Sequence, residues 1–404
     1  MESSTSDSGL LVLLFAVVII LAMLAKAAFQ RIKLPPLVAY LALGVLLRWG
    51  DDRFGLLSAR GEGLLEFLAT LGIIALLFRV GLESDVPGLV RQLGGASLIW
   101  LGNVVVSGAA GYVAARYVLG LEVVPSIVIA AAMTATSVGI PAGVWRRADA
   151  LDSPDGERFL DVAGMDDLSG VALMALLFAV LPALRGGADG DFTHVLFKQA
   201  GVFAVSLAAF AGACIVFSRY LEERFSNFIH NIESGPDPML VVVATGVLVA
   251  ALAGLLGFSV AIGAFFAGLT FSRDPQRVKV DASFASLYDL FTPFFFVGIG
   301  LELAPRLIVS AAGAGTVLLV AAVVGKLVGT TGPALLCTGW RRAGVLGVSM
   351  VPRAEITLLI MHRALVLGSD VAPAAAYSGM VLVSAATCLA TPPILARFLV
   401  SSGR

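Results

Sequence analysis

Charge is scarce in this sequence. Asp, Glu, Lys and Arg make up 14% of the 404 residues, against about 25% in a soluble domain. With 58% hydrophobic residues and a mean hydropathy of +0.95, a soluble protein of this composition would have too few polar residues to clothe its surface. An excess of either sign is also missing. The net charge is −1 and no basic run occurs, which excludes a nucleic-acid footprint. Cysteine is limited to Cys214, Cys337 and Cys388, far apart and without a CxxC pair. That excludes a zinc site or a disulfide framework, and all three are expected as small buried side chains. His194, His230 and His362 form no HxxxH or HExxH arrangement, so neither a metal centre nor a cofactor is expected. The N-terminus, MESSTSDSG, lacks the basic region of a signal peptide and no A-x-A-like site follows; the first apolar segment is expected to be retained.

What the chain has in abundance is long apolar runs. A membrane helix needs about 20 mostly apolar residues. Thirteen candidates lie at 9–28, 34–50, 63–82, 95–119, 122–145, 157–184, 194–218, 238–256, 258–272, 284–303, 307–337, 343–366 and 373–398. The expected fold class is an all-α polytopic membrane protein. Placing the N-terminus outside puts seventeen of the 27 Lys and Arg on cytoplasmic flanks, among them Lys26, Arg31, Lys33, Arg146, Arg147, Arg273, Arg277, Lys279, Arg341 and Arg342. Eight, such as Arg48, Arg53, Arg60 and Arg116, are then external, and Lys326 and Arg353 lie within spans. The positive-inside rule therefore predicts N-out, C-in, in a cell inner (plasma) membrane.

The chain also resembles itself. Gly81-Leu82-Glu83 closes the third span and Gly300-Leu301-Glu302 the tenth. Leu34 to Gly44 has the same ten-residue step as Phe258 to Gly268, and Gly164-Met165 recurs as Gly379-Met380. These matches pair each span with the one seven further on. An odd offset means the copies cross the bilayer in opposite senses: an inverted-topology repeat, about 34–184 and 258–398, with a transport site expected at the repeat interface near the midplane.

The fifth span is interrupted by Thr134-Ala135-Thr136-Ser137-Val138-Gly139-Ile140-Pro141, and its repeat mate, the twelfth, by Ser349-Met350-Val351-Pro352-Arg353-Ala354-Glu355. Proline removes a backbone donor and disfavours helix at the residue before it. Unwound backbone at membrane depth persists only where protein or a wet cavity satisfies it. A kink in one span is commonplace; matched interruptions in both halves predict two broken helices at the site.

Ionisable residues inside spans are costly and mark function. Asp166 and Asp167 are adjacent in the sixth span and point about 100° apart on a helix, so they can address different partners around one cavity. Lys326 lies at similar depth in the eleventh. A Lys326–Asp166 ion pair lets both stay charged and leaves Asp167 to alternate between a proton and a cation. Carboxylate, hydroxyl and carbonyl oxygens suit a hard cation. Arg353 and Glu355, two apart, do not face each other on a regular helix. Either the break at Pro352 brings them together or each has another partner, and their expected role is to brace the broken helix. Arg79 and Glu83, four apart, are expected to pair along the third span, and Glu302 is expected to be wet.

In their order along the chain, the Thr134-to-Pro141 break, Asp166-Asp167, Lys326 and Pro352-Arg353-x-Glu355 resemble the sodium/hydrogen exchanger domain. The likeness is strongest to bacterial cation:proton antiporters of the Kef-type and NapA-like branch, and covers nearly the whole chain. The resemblance implies thirteen helices divided between a dimerisation domain and a mobile core, crossing broken helices beside the ion site, and elevator-like alternating access in a homodimer. It implies that Asp167 is the essential ion-binding carboxylate, that Thr136 and Ser137 help line the site, and that Lys326 pairs with Asp166. Asp166 matches a position that is Asp in members classed as electrogenic and Asn in many electroneutral ones. Two departures stand out. Ala354 replaces a common glycine, and the sequence ends at Arg404 with no counterpart of the nucleotide-binding regulatory domain of full-length potassium-efflux members.

The expected function is exchange of a monovalent cation, sodium before potassium, for protons. The alternative is a potassium-efflux or channel-like module that needs a regulatory partner. A third reading, an intramembrane aspartyl protease, needs two carboxylates facing each other across a water, normally from different helices, which adjacent Asp166 and Asp167 on one helix do not supply; a cleavage assay tests it. No enzymatic activity is expected.

Overall fold

The computed structural model of the chain describes residues 2–32, 34–83, 93–185, 192–216, 220, 239–255, 259–271, 282–303 and 305–402. Lys33, His230, Phe258, Arg273, Arg277 and Lys279 lie outside the described residues, as do the side chains of Glu83 and His194. Every regular element among the described residues is helical, and helix lies along each apolar run singled out above. Seven described helices are long and apolar enough to cross a membrane. Thirteen crossings remain the expectation drawn from sequence.

Two compact units form, each assembled from both halves of the sequence: residues 1–85 with 201–304, and residues 86–200 with 305–404. The first contains α1 (Glu2–Arg31), α2 (Pro36–Phe54), α3 (Ala59–Glu83), and, after the residues of α8, α9 (Met239–Leu255), α10 (Val260–Phe271) and α11 (Ala282–Leu301). The second contains α4 (Leu93–Val113), α5 (Val123–Thr134), α6 (Gly139–Arg147), α7 (Pro154–Arg185), α12 (Pro305–Leu335), α13 (Trp340–Ser349), α14 (Glu355–Leu367) and α15 (Ala374–Ser402). Helix α8 (Phe192–Val216) spans the division between them.

Local sequence sets the ends of these helices. Helix α2 starts with Pro36 in its first turn, where no donor is needed, and stops at Gly55, whose φ of 59° only glycine adopts cheaply and whose N–H bonds Asp51 O. Ser153 caps α7: its Oγ accepts from Gly156 N at 3.2 Å, with Pro154 in the first turn followed by Asp155 and Glu157.

In the first unit the repeated glycines of the sequence are where helices cross backbone to backbone. A Cβ at Gly44 on α2 would collide with Val297 O on α11, and one at Gly300 with Leu41 O. Their repeat mates do the same: a Cβ at Gly268 on α10 would strike Phe78 O on α3, and one at Gly81 would strike Phe265 O. The α2–α11 and α10–α3 crossings are thus built from matching residues, as an inverted repeat requires. Arg79 lies over the ring of Tyr288, 4.3 Å from its centroid, and Glu302 is exposed.

In the second unit the two broken helices cross. Residues 135–138 separate α5 from α6, and 350–354 separate α13 from α14. The breaks are joined by one backbone bond, Ser137 N to Pro352 O at 2.8 Å. Trp145 of α6 stacks on Phe159 of α7, ring centroids 5.9 Å apart, and its Nε1 donates to Ser349 Oγ at the end of α13 (2.9 Å). At the far end of α7, Arg185 grips Asp370 with two bonds of 2.7 and 2.9 Å.

One sequence expectation is corrected. Cys214 and Cys388 are buried, but Cys337 is exposed, because it falls just past the end of α12 at Leu335, in a turn outside the packed span.

Candidate functional site

The site is built on the end of α5. A helix that stops inside a protein leaves its last carbonyls without partners and concentrates negative potential there. Here side chains take them one by one. Thr134 Oγ1 donates to Ala131 O (2.8 Å) and Thr357 Oγ1, on α14, to Ala132 O (2.9 Å). Arg353 Nη1 donates to Met133 O and, at 3.0 Å, to Ala135 O. Lys326 Nζ, on α12, donates to Thr134 O at 2.5 Å. Two cations and two hydroxyls therefore satisfy five consecutive carbonyls. The unwound backbone survives at this depth because protein supplies these partners.

Lys326 is 0% exposed, and its second partner is Asp166 Oδ2 at 3.4 Å. The predicted ion pair is present. Asp166 is 1% exposed and its other oxygen accepts from Asn103 Nδ2, on α4, at 2.7 Å. Asn103 in turn accepts from Thr330 Oγ1 at 3.1 Å. The Asp166 carbonyl accepts from Ser169 Oγ at 3.0 Å, and Ser169 Oγ accepts from Trp100 Nε1 at 2.9 Å. Asp167 is half-buried, between its fully buried neighbour and Leu168, and it too has an interaction partner.

Of the polar residues at the break, Thr136 (4% exposed) donates to Met350 O at 3.4 Å, and Ser137 (1% exposed) ties the two breaks together through its N–H. The Ser137 hydroxyl is buried at the crossing.

Arg353 answers the question left open by its spacing from Glu355. Fully buried, it spends its guanidinium on carbonyls of α5 and on Ala322 O of α12 (3.2 Å), not on Glu355. Its own backbone is held by α15: Ser384 Oγ (2.5 Å) and Cys388 Sγ (3.1 Å) donate to Arg353 O, and Arg353 N donates to Thr387 Oγ1 (3.3 Å). Glu355 opens α14, where a carboxylate suits the positive end of the helix. Arg353 thus links the end of α5 to α12.

Sequence reasoning missed Asn103, Thr330 and Thr357. They are neither ionisable nor at the breaks, yet Asn103 in Leu101-Gly102-Asn103-Val104 is a strong polar group in an apolar run, a signal the sequence does carry. No group of three or more His, Cys, Asp or Glu able to hold a metal ion occurs among the described residues. The oxygens gathered here suit a transported monovalent cation rather than a resident metal.

A buried acid–lysine pair and a neighbouring acid at the crossing of two broken helices define a membrane transporter for cations. Residues 16–400 match the sodium/hydrogen exchanger transmembrane family, and the chain belongs to it. It is 27% identical to the high-affinity Na+/H+ antiporter NhaS3 of Synechocystis sp. over 84% of this chain and 72% of the relative. It is 27% identical to the Na+/H+-K+ antiporter GerN of Bacillus cereus over 94% of each. Among solved structures it is similar to the sodium proton antiporter MjNhaP1 of Methanocaldococcus jannaschii, with a TM-score of 0.65, 14% identity and 99% of each chain covered. The protein is a multi-pass membrane cation:proton antiporter.

Proposed function

We propose that the chain exchanges Na+, in preference to K+, for protons at Asp167, electrogenically and by elevator-type alternating access. The observation that carries this reading is the buried Lys326–Asp166 pair at the carbonyl-rich end of α5, with half-buried Asp167 next to it. A carboxylate beside a satisfied ion pair can hold either a proton or a cation. In this reading Thr136 and Ser137, at the break, and Asp166 add oxygens to the cation's shell. The names of relatives that exchange sodium support the cation; the printed name of GerN includes potassium, which stands second.

In this reading the repeats run about 34–184 and 258–398 within one exchanger domain. The unit holding the site is the moving body, and the other unit is the scaffold of a homodimer. The division of the chain into two compact units is what supports it. The protein sits in the inner membrane, N-terminus outside and C-terminus cytoplasmic, as the Lys and Arg distribution favours.

The test is proton movement in everted vesicles, read by a pH-sensitive dye, on adding sodium, potassium or lithium. Sodium should dissipate an imposed pH gradient at the lowest concentration. Equal responses to all three cations would remove the sodium preference, and no response to any would remove antiport.

A further inference from the structure

The donors around Asp166 come from a seam between α4 and α12. A Cβ on Gly102 would come within 2.7 Å of Gly329 O, and one on Gly329 within 2.6 Å of Gly102 O. Gly325 is as tightly set: a Cβ there would lie 3.1 Å from Ser107 Cα. The helices meet backbone to backbone, so short side chains beside these glycines reach across. Asn103 follows Gly102, while Lys326 and Thr330 follow Gly325 and Gly329.

A threonine inside a helix usually returns its hydroxyl to a carbonyl three or four residues back. Thr70, Thr316 and Thr387 do so, to Glu66, Ala312 and Val383. Thr330, 0% exposed, instead donates across the seam to Asn103 Oδ1. That bond occupies the oxygen of the amide and turns its NH2 toward Asp166. With one oxygen held by Asn103, Asp166 presents the other to Lys326.

We infer that Asn103, oriented by Thr330, is a positioning residue for exchange: it pins Asp166 so that Asp166 holds Lys326 and keeps the ammonium off Asp167. The inference rests on the reading of Asp167 as the cation-binding carboxylate. Asp167 adjoins Asp166 in the chain, one residue from the carboxylate that holds Lys326. An Asp166 free to turn would let Lys326 move toward Asp167, where the ammonium competes with the cation for the same oxygens.

The experiment measures cation-driven proton movement in proteoliposomes against cation concentration, per folded transporter, using whichever of sodium and potassium the wild type exchanges better. Thr330→Val keeps the side-chain shape and removes only the hydroxyl. Asn103→Leu and Thr330→Val should each raise the half-saturating cation concentration, Asn103→Leu by about tenfold, the scale of a hydrogen bond to a charged group. Maximal rate should change less. The double variant should be no worse than Asn103→Leu, because Thr330 acts through Asn103, and Thr330→Ser should restore wild-type half-saturation. Unchanged half-saturation in Asn103→Leu and Thr330→Val would overturn the inference, even if less protein folds, since that leaves packing alone. Additive effects in the double variant would overturn the relay. A wild type that exchanges no cation would instead overturn the antiport reading on which the inference rests.

Discussion

Lys326 Nζ lies 2.5 Å from the carbonyl oxygen of Thr134, so the lysine that pairs with Asp166 also closes the broken end of α5. One ammonium is thereby shared between a carboxylate that belongs to α7 and a helix terminus that belongs to α5. Any movement of Asp166 is felt at the break, and any change at the break is felt at Asp166. The site and the interruption are one electrostatic assembly, with Arg353 as its second cation at Met133, Ala135 and Ala322.

Arg353 is therefore not replaceable by lysine. Its planar fork reaches three carbonyls on two helices; an ammonium is a point charge on a different stem. Arg353→Lys should leave carbonyls of α5 without donors, at about 1–3 kcal/mol for each buried group, and lower the melting temperature of detergent-purified protein. Arg353→Ala should lower it further. A melting temperature within error of wild type in Arg353→Lys would show that the carbonyl contacts contribute little.

In the proposed reading Asp167 alternates between a proton and a cation, and Asp167→Asn removes that charge while keeping the shape of the side chain. Cation-dependent proton movement should fall to background with expression and folding retained. Wild-type exchange in this variant at normal expression would remove Asp167 from the site.

A proton and a cation sharing one carboxylate must compete. As pH falls, protonation occupies the site and the apparent cation affinity weakens, by at most about tenfold per pH unit for one proton. As pH rises the affinity should strengthen and then level off once the site is deprotonated. Half-saturating concentrations measured from pH 6 to 9 test this, and a flat profile would place proton and cation at separate sites.

Much of this was legible in sequence, and the reason is the solvent. In a bilayer every charge and every lost backbone donor stands out against apolar surroundings, so Asp166, Asp167, Lys326, Arg353 and Pro352 announce themselves. What was hidden were partners supplied across space. The first break falls at residues 135–138, with Pro141 inside the first turn of α6, where proline is tolerated; the proline marks the restart of the helix, not its interruption. The carbonyl partners of Arg353 carry no side-chain signature at all. Asn103 and Thr330 are common neutral residues, and only the glycine seam gives them their role. The repeated glycines were legible as a pattern, but not as helix crossings.

Those crossings make a prediction about stability. Gly44 and Gly300 face each other at the α2–α11 crossing, and Gly268 and Gly81 lie at its repeat mate, each where a Cβ would strike opposing carbonyl oxygen. Alanine at any of the four must push two helices apart, and overpacking of this kind costs about 1–3 kcal/mol. Alanine at Gly313, which has nothing within 4 Å of its would-be Cβ, should be neutral. Comparable losses of melting temperature at all four crossing positions, and none at Gly313, are expected. Tolerance at Gly268 and Gly81 with intolerance at Gly44 and Gly300 would deny that the two crossings are equivalent.

With two acids and one lysine at the site, exchange of two protons for one monovalent cation moves one net charge per cycle, worth about 2.3 kcal/mol per 100 mV. Voltage should therefore drive transport, and a cation gradient should produce current on a solid-supported membrane. Lys326→Gln removes the cation from a fully buried pair and from the end of α5 at once. Breaking a buried pair costs about 3–5 kcal/mol, so this variant should lose stability first. If the second proton comes from the Lys326–Asp166 pair, exchange that survives in the remaining folded protein should depend less on voltage. A Lys326 that only braces Asp166 and Thr134 predicts something different: lower stability with unchanged current per folded molecule. Proton flux without current in the wild type would make the exchange electroneutral, and unchanged voltage dependence in Lys326→Gln would leave the lysine a purely structural part of the crossing.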